Sequence, residues 1–213
     1  MLAGVKNKFT VDHEGGENLD KIAALGKGGI LISAHFGNWE IAGQLLNRLN
    51  TTFNILMYEN ERENIKKYMD SVQKKKNVKI IAIKDGDMGH IIELHNAFRN
   101  NELIVMHGDR FREGAQTIET NFLGKKALFP AGPFIMAAKF GVPLSIVFAA
   151  KETSTHYHFF ASEPIQVKRA RGEEQTQKAV KELLEKYILE FEKMVHLYPE
   201  QWFNYYAFWK EQE

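Results

Sequence analysis

Short, nearly continuous apolar runs alternate along the chain with longer segments whose apolar residues recur at helical spacing. The short runs are typical of buried strands and fall at 28–35, 51–58, 78–83, 102–109, 117–124, 142–150 and 156–164. The longer segments predict helices at 38–49, 60–76, 87–99, 133–141 and 173–197. The last two strands are expected to form a hairpin-like pair. Strands that alternate with helices indicate an α/β fold whose sheet is mixed and largely parallel.

The chain carries no internal repeat, low-complexity tract or linker, and 213 residues suit one domain. We therefore predict a single domain over 1–213, with an N-terminal extension and helix at 1–27 and an aromatic tail at 198–213. From Trp202 to Trp209, the tail is almost entirely aromatic. Aromatic side chains of this kind favour a membrane interface and equally favour packing across the edge of a domain.

Composition removes several classes of function. Lys+Arg number 28 and Asp+Glu 27, so the net charge of +1 gives no global field suited to nucleic acid. The absence of cysteine excludes disulfides, thiolate metal sites and a cysteine nucleophile. No apolar run approaches the roughly 18 residues that a membrane-spanning helix needs.

The clearest chemical signal is the H-x4-E spacing of His35 and Glu40. His35 comes at the carboxyl end of the first strong strand, where ligand sites of open α/β sheets gather. Gly37 permits a tight turn, so Glu40 can accept a hydrogen bond from the imidazole and fix its tautomer. The alternative is that His35 merely ends the strand and Glu40 faces solvent in a first helical turn.

A second cluster, at 106–114, follows another strand and is expected at the same edge of the sheet. It contains His107, Asp109, Arg110 and Arg112. Arginine suits phosphate or carboxylate recognition through its planar fork. A charged surface loop and a zinc site formed by His35, His107 and Asp109 remain as alternatives.

A third segment, at 121–133, joins apolar residues to lysines before the amino end of a helix. Phe122 is expected to line an apolar slot, and Lys125 lies near a helix end that attracts anions. Plain core packing is the alternative for each of these residues.

Four segments in this order resemble the bacterial lipid A biosynthesis acyltransferases, the lauroyl/myristoyl branch of the lysophospholipid acyltransferase superfamily. The segments are HFGNWE, GDRFREG, ETNFLGKKALFPAGPFIMAAKFGVPLSIVFA and YPEQWFNYYAFW. The resemblance covers roughly residues 28–210. It implies a lysophospholipid-acyltransferase-like fold and transfer of a fatty acyl group to a hydroxyl or amine of a lipid acceptor. The donor would be acyl carrier protein or CoA, used as cosubstrate with no other cofactor.

The resemblance also implies roles for residues. His35 corresponds to the general base and Glu40 to the acid that orients it, while Asp109 and Arg110 correspond to active-site and substrate-binding positions. We add Asn38, Phe122 and Lys125 to the expected substrate-binding set, and we expect no metal. Family members usually work at the cytoplasmic face of the inner membrane, so peripheral membrane contact there, or a cytoplasmic location, is expected.

Two departures from the family pattern leave the acceptor open. Residues 1–27 contain no hydrophobic helix of the kind common in the family, and Tyr58-Glu59 stands where the family often has a tyrosine–arginine pair. Lipid A, an ornithine-type lipid, a pigment or another glycolipid would each serve as acceptor.

The residues favour direct transfer, because the chain has no cysteine and no G-x-S-x-G elbow for an acyl-enzyme. The oxyanion would be stabilised by backbone N–H groups after Gly37 or by Arg110. Two other functions stay open at this point. One is a metal-dependent hydrolase that uses His35, His107 and Asp109, and the other is a non-catalytic acyl- or lipid-binding module.

Overall fold

The computed structural model describes residues 9–38, 49, 51–59, 78–84, 86 and 88–209. Within these residues the strands are β1 (Thr10–Glu14), β2 (Gly29–Ser33), β3 (Phe53–Tyr58), β4 (Val78–Ile83), β5 (Leu103–His107), β6 (Thr117–Phe122), β7 (Lys125–Pro130), β8 (Leu144–Lys151) and β9 (His156–Ala161). The helices are α1 (Gly16–Ala24), α2 (Gly89–Arg99), α3 (Gly132–Phe140) and α4 (Glu173–Leu197), with a 3₁₀ turn at Pro199–Gln201.

Seven strands form one sheet in the order β1-β9-β8-β2-β5-β3-β4. Neighbouring strands run parallel except β8 and β9, which are antiparallel. The predicted α/β class, with its mixed and largely parallel sheet, is confirmed, as is the hairpin-like pairing of the last two strands. The predicted helices at 38–49 and 60–76 lie largely or wholly outside the described residues.

Helices cover both faces of the sheet because successive residues of the central strands point to opposite sides. Ile30 and Ile32 of β2 pack in a cluster with α2, α3 and α4, whereas Leu31 packs in a second cluster with Leu19 and Ile22 of α1. All three β2 residues are fully buried. Burial on both faces explains why this strand is a continuous apolar run in the sequence.

The structure corrects the predicted secondary structure at two places. Residues 1–27 were expected to hold only an extension and a helix, but β1 precedes that helix and pairs parallel with β9 at the edge of the sheet. No strand was expected between Lys125 and the helix that follows, but residues 125–130 form β7, which pairs antiparallel with β6 in a separate hairpin. Leu123 and Gly124, at φ 51° and 77°, make the turn between them.

The aromatic tail divides between the protein core and the surface. Trp202 and Phe208 pack against Phe122 and against each other, and Trp209 donates its indole N–H to the Phe122 carbonyl oxygen at 3.0 Å. Tyr205, by contrast, is 84% exposed. Part of the tail therefore packs against β6 and against Phe191 of α4, and part remains exposed to solvent.

Candidate active site

The site forms where β2 and β5, neighbours at the centre of the sheet, reach their carboxyl ends. Ser33 of β2 lies opposite His107 of β5. The Ser33 carbonyl oxygen accepts the Gly108 N–H at 2.8 Å and the Tyr187 hydroxyl of α4 at 3.0 Å. These bonds hold the two strand ends together, so the residues that follow each strand are brought side by side. The expectation that His35 and the 106–114 loop share one edge of the sheet is confirmed.

Gly37 makes the tight turn that follows His35. Its φ of 62° lies in the left-handed region, and a Cβ atom there would stand 2.0 Å from the Ala149 carbonyl oxygen. The Gly37 N–H donates to the Gln201 carbonyl at 2.8 Å, and the Asn38 N–H donates to the Ala149 carbonyl at 2.8 Å. Only glycine fits this close approach without displacing the backbone of β8.

Asp109 is the carboxylate that orients His35. Its Oδ1 accepts the His35 backbone N–H at 3.1 Å and lies 2.9 Å from the His35 Nδ1. Its Oδ2 accepts the Trp202 indole N–H at 3.3 Å. Because an ionised carboxylate can only accept, Nδ1 of His35 carries a proton, and in the neutral ring Nε2 is left with a lone pair.

The Asp109 carboxylate is 1% exposed and remains charged. Burial alone raises the pKa of this carboxyl, but the hydrogen bonds from His35 and the positive charge that either neighbouring imidazole carries when protonated outweigh burial. The pKa of Asp109 is therefore below its usual value, and the group is an anion at neutral pH. A buried anion beside an imidazole stabilises the imidazolium that forms when the ring takes up a proton.

His107 stands on the other side of the His35 ring. Its Nδ1 lies 3.3 Å from the His35 Nε2, and the two rings meet edge to face with centroids 4.3 Å apart. Burial lowers the pKa of His107 to about 4, with a further lowering from the charge of His35 and an opposing effect of Asp109. His107 is therefore a neutral imidazole at neutral pH.

The aromatic tail completes the site, which sequence reasoning did not foresee. The Phe203 N–H donates to the His35 carbonyl at 2.8 Å, and the Tyr206 hydroxyl donates to the Asp109 carbonyl at 3.1 Å. The Arg110 guanidinium donates to the Phe203 carbonyl and approaches the Tyr206 ring, 5.9 Å from its centroid. One feature of the sequence could have indicated this role: Trp and Tyr in the tail carry N–H and O–H groups that seek hydrogen-bond partners when they are buried.

A pocket of about 380 Å³ opens at this place and has room for a small-molecule ligand. It is lined by His35, Phe36, Gly37, Asn38, His107, Arg110, Phe203 and Tyr205. The His35 side chain is 31% exposed at the pocket, whereas Asp109 lies behind it. The His35 ring is therefore accessible from the pocket.

The structure brings together some of the predicted site residues and not others. His35, Asn38 and Arg110 line the pocket, with Asp109 directly behind. Glu40 lies outside the described residues, so its pairing with His35 stays a prediction. Two other predicted residues do not line the pocket. Phe122 is fully buried in the aromatic core, and Lys125 is exposed at the turn of the β6–β7 hairpin.

The alternative metal site has suitable residue types but a poor donor arrangement. One nitrogen or oxygen from each of His35, His107 and Asp109 lies within 4.8 Å of the others. Both Asp109 oxygens, however, already accept N–H groups, one of them from His35 itself. Such a carboxylate acts as the partner of a histidine rather than as a metal ligand, which leaves two histidine nitrogens of this cluster as donors where zinc takes at least three protein ligands. The geometry therefore favours acid–base chemistry at His35.

Comparison with known proteins identifies the family of the chain. The family model described as bacterial lipid A biosynthesis acyltransferase matches residues 5–211. Proteins named phosphatidylinositol mannoside acyltransferase, from two strains of Mycobacterium tuberculosis (ATCC 25618 / H37Rv and CDC 1551 / Oshkosh), are each 26% identical to the chain over 130 residues. Each match covers 60% of this chain and 40% of the relative, so the chain matches less than half the length of these curated proteins.

Among solved structures, the crystal structure of the 1-acyl-sn-glycerophosphate acyltransferase PlsC from Thermotoga maritima is similar at a TM-score of 0.46 and 19% identity. The similarity covers 86% of this chain and 73% of that chain. In the part of the chain that the structure describes, no helix combines the length and apolar character of a membrane span. The match over residues 5–211 confirms the predicted family, and the chain belongs to the bacterial lipid A biosynthesis acyltransferases.

Proposed function

We propose that the chain transfers a fatty acyl group from an acyl thioester, on acyl carrier protein or CoA, to a hydroxyl or amine of a lipid acceptor. Membership in an acyltransferase family supports the reaction class. The observation that carries the proposal is the His35–Asp109 pair, 2.9 Å apart, with the His35 ring lining a ligand-sized pocket. This arrangement is suited to a general base.

In the proposed reaction, His35 Nε2 removes the proton of the acceptor hydroxyl or amine as the acceptor attacks the thioester carbonyl carbon. Asp109 holds the ring through Nδ1 and stabilises its charged form. The tetrahedral intermediate then collapses, the C–S bond breaks, and the imidazolium returns the proton to the departing sulfur. Glu40 is retained as a second candidate for orienting His35.

Arg110 is the described residue best suited to stabilise the oxyanion. Of the backbone N–H groups after Gly37, the other candidates from the sequence, that of Asn38 donates to the Ala149 carbonyl oxygen, and those at 39–41 lie outside the described residues. The Nε of Arg110 is buried and has no hydrogen-bond partner among the described residues. A buried donor that lies unpaired beside the pocket can stabilise negative charge developing on the thioester oxygen.

The mouth of the pocket is suited to a lipid surface. Phe203 and Tyr205 line the pocket and are exposed, and Tyr206 and Phe111 are exposed on the two loops beside it. Aromatic side chains with polar tips favour the interfacial region of a bilayer. We therefore include peripheral membrane contact in the proposal, at the cytoplasmic face of the inner membrane, with a glycolipid, an amino-acid lipid or a pigment as acceptor.

The proposal is tested by incubating the purified chain with an acyl thioester and candidate acceptor lipids, and measuring the acylated lipid by mass spectrometry. His35→Ala is expected to lower transfer about 10²–10⁴-fold, the usual contribution of a general base. His156→Ala is the matched control, because His156 also pairs with a carboxylate but lies on strand β9. Near-native transfer by His35→Ala would refute the assignment.

The two other functions predict different results. A metal-dependent hydrolase would hold stoichiometric zinc and lose its activity to a chelator. A non-catalytic module would bind acyl thioester or lipid tightly yet show no turnover with any donor. Mass spectrometry of lipids from cells with and without the protein identifies the acceptor and the chain length.

A further inference from the structure

His107 contacts His35 at the nitrogen that the proposed mechanism uses, yet that mechanism gives His107 no role. Its Nδ1 lies 3.3 Å from the His35 Nε2, and it lines the same pocket. His107 ends β5 and lies opposite Ser33 of β2, so the sheet itself fixes the position of its backbone. The sheet therefore holds the backbones of both strand ends in the positions from which the two rings meet.

The direction of the hydrogen bond follows from the neighbouring contacts. The His35 Nδ1–H donates to Asp109, so the His35 Nε2 is an acceptor in the neutral ring. Two facing lone pairs at this separation would repel, which makes the Nδ1 of His107 the protonated one. A neutral His107 has one N–H and can place it there.

We propose that His107 guards the general base: in the absence of an acceptor its Nδ1–H occupies the Nε2 of His35, and the acceptor must displace it. The inference rests on the proposed acyl transfer. In the guarded state His107 stands where the acceptor hydroxyl would bind. His107 acts through His35 and is a positioning residue, since it takes no proton from substrate.

The guard suppresses hydrolysis of the acyl donor. With the acyl thioester bound and no acceptor present, a water molecule could enter, because the His35 side chain is 31% exposed. His35 would take a proton from that water as its oxygen bonds to the carbonyl carbon. The C–S bond would then break, releasing fatty acid, and the thiolate would recover the proton. An Nε2 already bonded to His107 cannot activate water, whereas an acceptor held by the pocket can compete for it.

The test measures the ratio of thioester hydrolysis to acyl transfer in purified variants. His107→Ala is expected to raise this ratio about fivefold, the effect of one net hydrogen bond. His107→Asn places an amide N–H close to the position of Nδ1 and is expected to restore a ratio near that of the wild type. His107→Phe keeps the bulk of the ring without the donor and is expected to behave like His107→Ala. His156→Ala is the control and should leave the ratio unchanged.

An unchanged ratio in His107→Ala, or a wild-type ratio in His107→Phe, would overturn the guard. The hydrogen bond is tested separately by ¹⁵N NMR of histidine-labelled protein. The result expected is a neutral His107 with its proton on Nδ1, whose signals shift when His35 is changed to Ala. A proton on Nε2 would also overturn the inference. If the wild type neither transfers nor hydrolyses acyl groups while this tautomer is observed, the proposed function fails and the contact stands.

Discussion

Two histidine–carboxylate pairs lie at the same end of the sheet's strands. They differ in how far the carboxylate is exposed. In the pocket, His35 Nδ1 lies 2.9 Å from Asp109, with side chains 31% and 1% exposed. At the β1–β9 edge, His156 Nε2 lies 3.1 Å from Asp12, with side chains 25% and 70% exposed. The histidines are alike in exposure and the distances are alike, so neither quantity distinguishes a site from a surface pair.

What distinguishes the pairs is how firmly the carboxylate is held. Asp109 accepts three N–H groups, from the His35 backbone, the His35 ring and Trp202. The His156 ring is instead shared between Asp12 and Glu152, at 3.1 and 3.3 Å, and both of these acids have substantial exposure to water. A buried, fully bonded anion fixes an imidazole in one orientation, while solvated carboxylates leave it adaptable and are screened.

The strongest test of this comparison removes the charge of Asp109 and measures the effect on kcat. Asp109→Asn is expected to lower kcat for acyl transfer about 10²–10⁴-fold, because an amide no longer stabilises the imidazolium and favours the wrong tautomer. Asp12→Asn should leave kcat unchanged, since neither Asp12 nor its partner His156 lines the pocket. The measurement is kcat at saturating donor and acceptor, with circular dichroism to show that both variants fold.

An Asp109→Asn variant with nearly native kcat would shift the orienting role to Glu40. The double variant with Glu40→Gln would then distinguish a shared role from a misassigned one. Loss of kcat only when both acids are changed would indicate that either can hold His35.

Parts of this site follow from sequence, and the missing parts have a physical reason. His35 and the 106–114 loop were predicted together because the ends of buried strands are visible in the apolar pattern. The pairing of His35 with Asp109 was not predicted, since 74 residues separate them in the sequence and their contact depends on β2 lying next to β5. Trp202, 93 residues from Asp109, depends on the path of the tail across the sheet edge.

The same reasoning explains the two strands that the pattern did not predict. β1 has the sequence TVDHE, and four of its five residues are exposed, so it lacks the apolar run that marks a buried strand. β7 begins with two lysines and ends in a proline, residues that suggest a turn when considered alone. Its pairing with β6 decides its conformation. Edge and hairpin strands are thus specified by partners more than by their own pattern.

The next test lowers the pH. His107, beside the His35–Asp109 pair, is predicted to lower the stability of the folded protein when it becomes protonated. Its folded-state pKa is about 4, against an ordinary value of 6.5. The unfolded chain therefore binds a proton that the native state does not, and stability falls as pH drops from 6.5 to about 4. We expect a loss of about 1–3 kcal/mol from this group.

Urea unfolding at several pH values measures this loss. His107→Phe should flatten the curve of unfolding free energy between pH 6.5 and 4, because phenylalanine cannot titrate. His156→Phe should leave the shape of the curve as in the wild type. A curve that His107→Phe leaves unchanged would show that the pocket solvates His107 as fully as the surface does.

The smallest effect is expected at a surface cluster beside the edge pair, where Glu14 of β1 contacts Lys193 at 3.2 Å and His158 at 3.3 Å. Burial raises the pKa of Glu14, but Lys193 and His158 together lower it below 4.5. Its contribution to stability is thus present above pH 4.5 and is lost as pH falls below that value.

Glu14→Gln is expected to change the free energy of unfolding at pH 7 by at most about 0.5 kcal/mol. Because all three side chains are partly exposed, added salt should reduce even this difference, measured as the shift in urea midpoint. A larger cost that persists in high salt would mean that β1 is held as rigidly as the pocket, and exposure of the carboxylate would no longer separate the two regions.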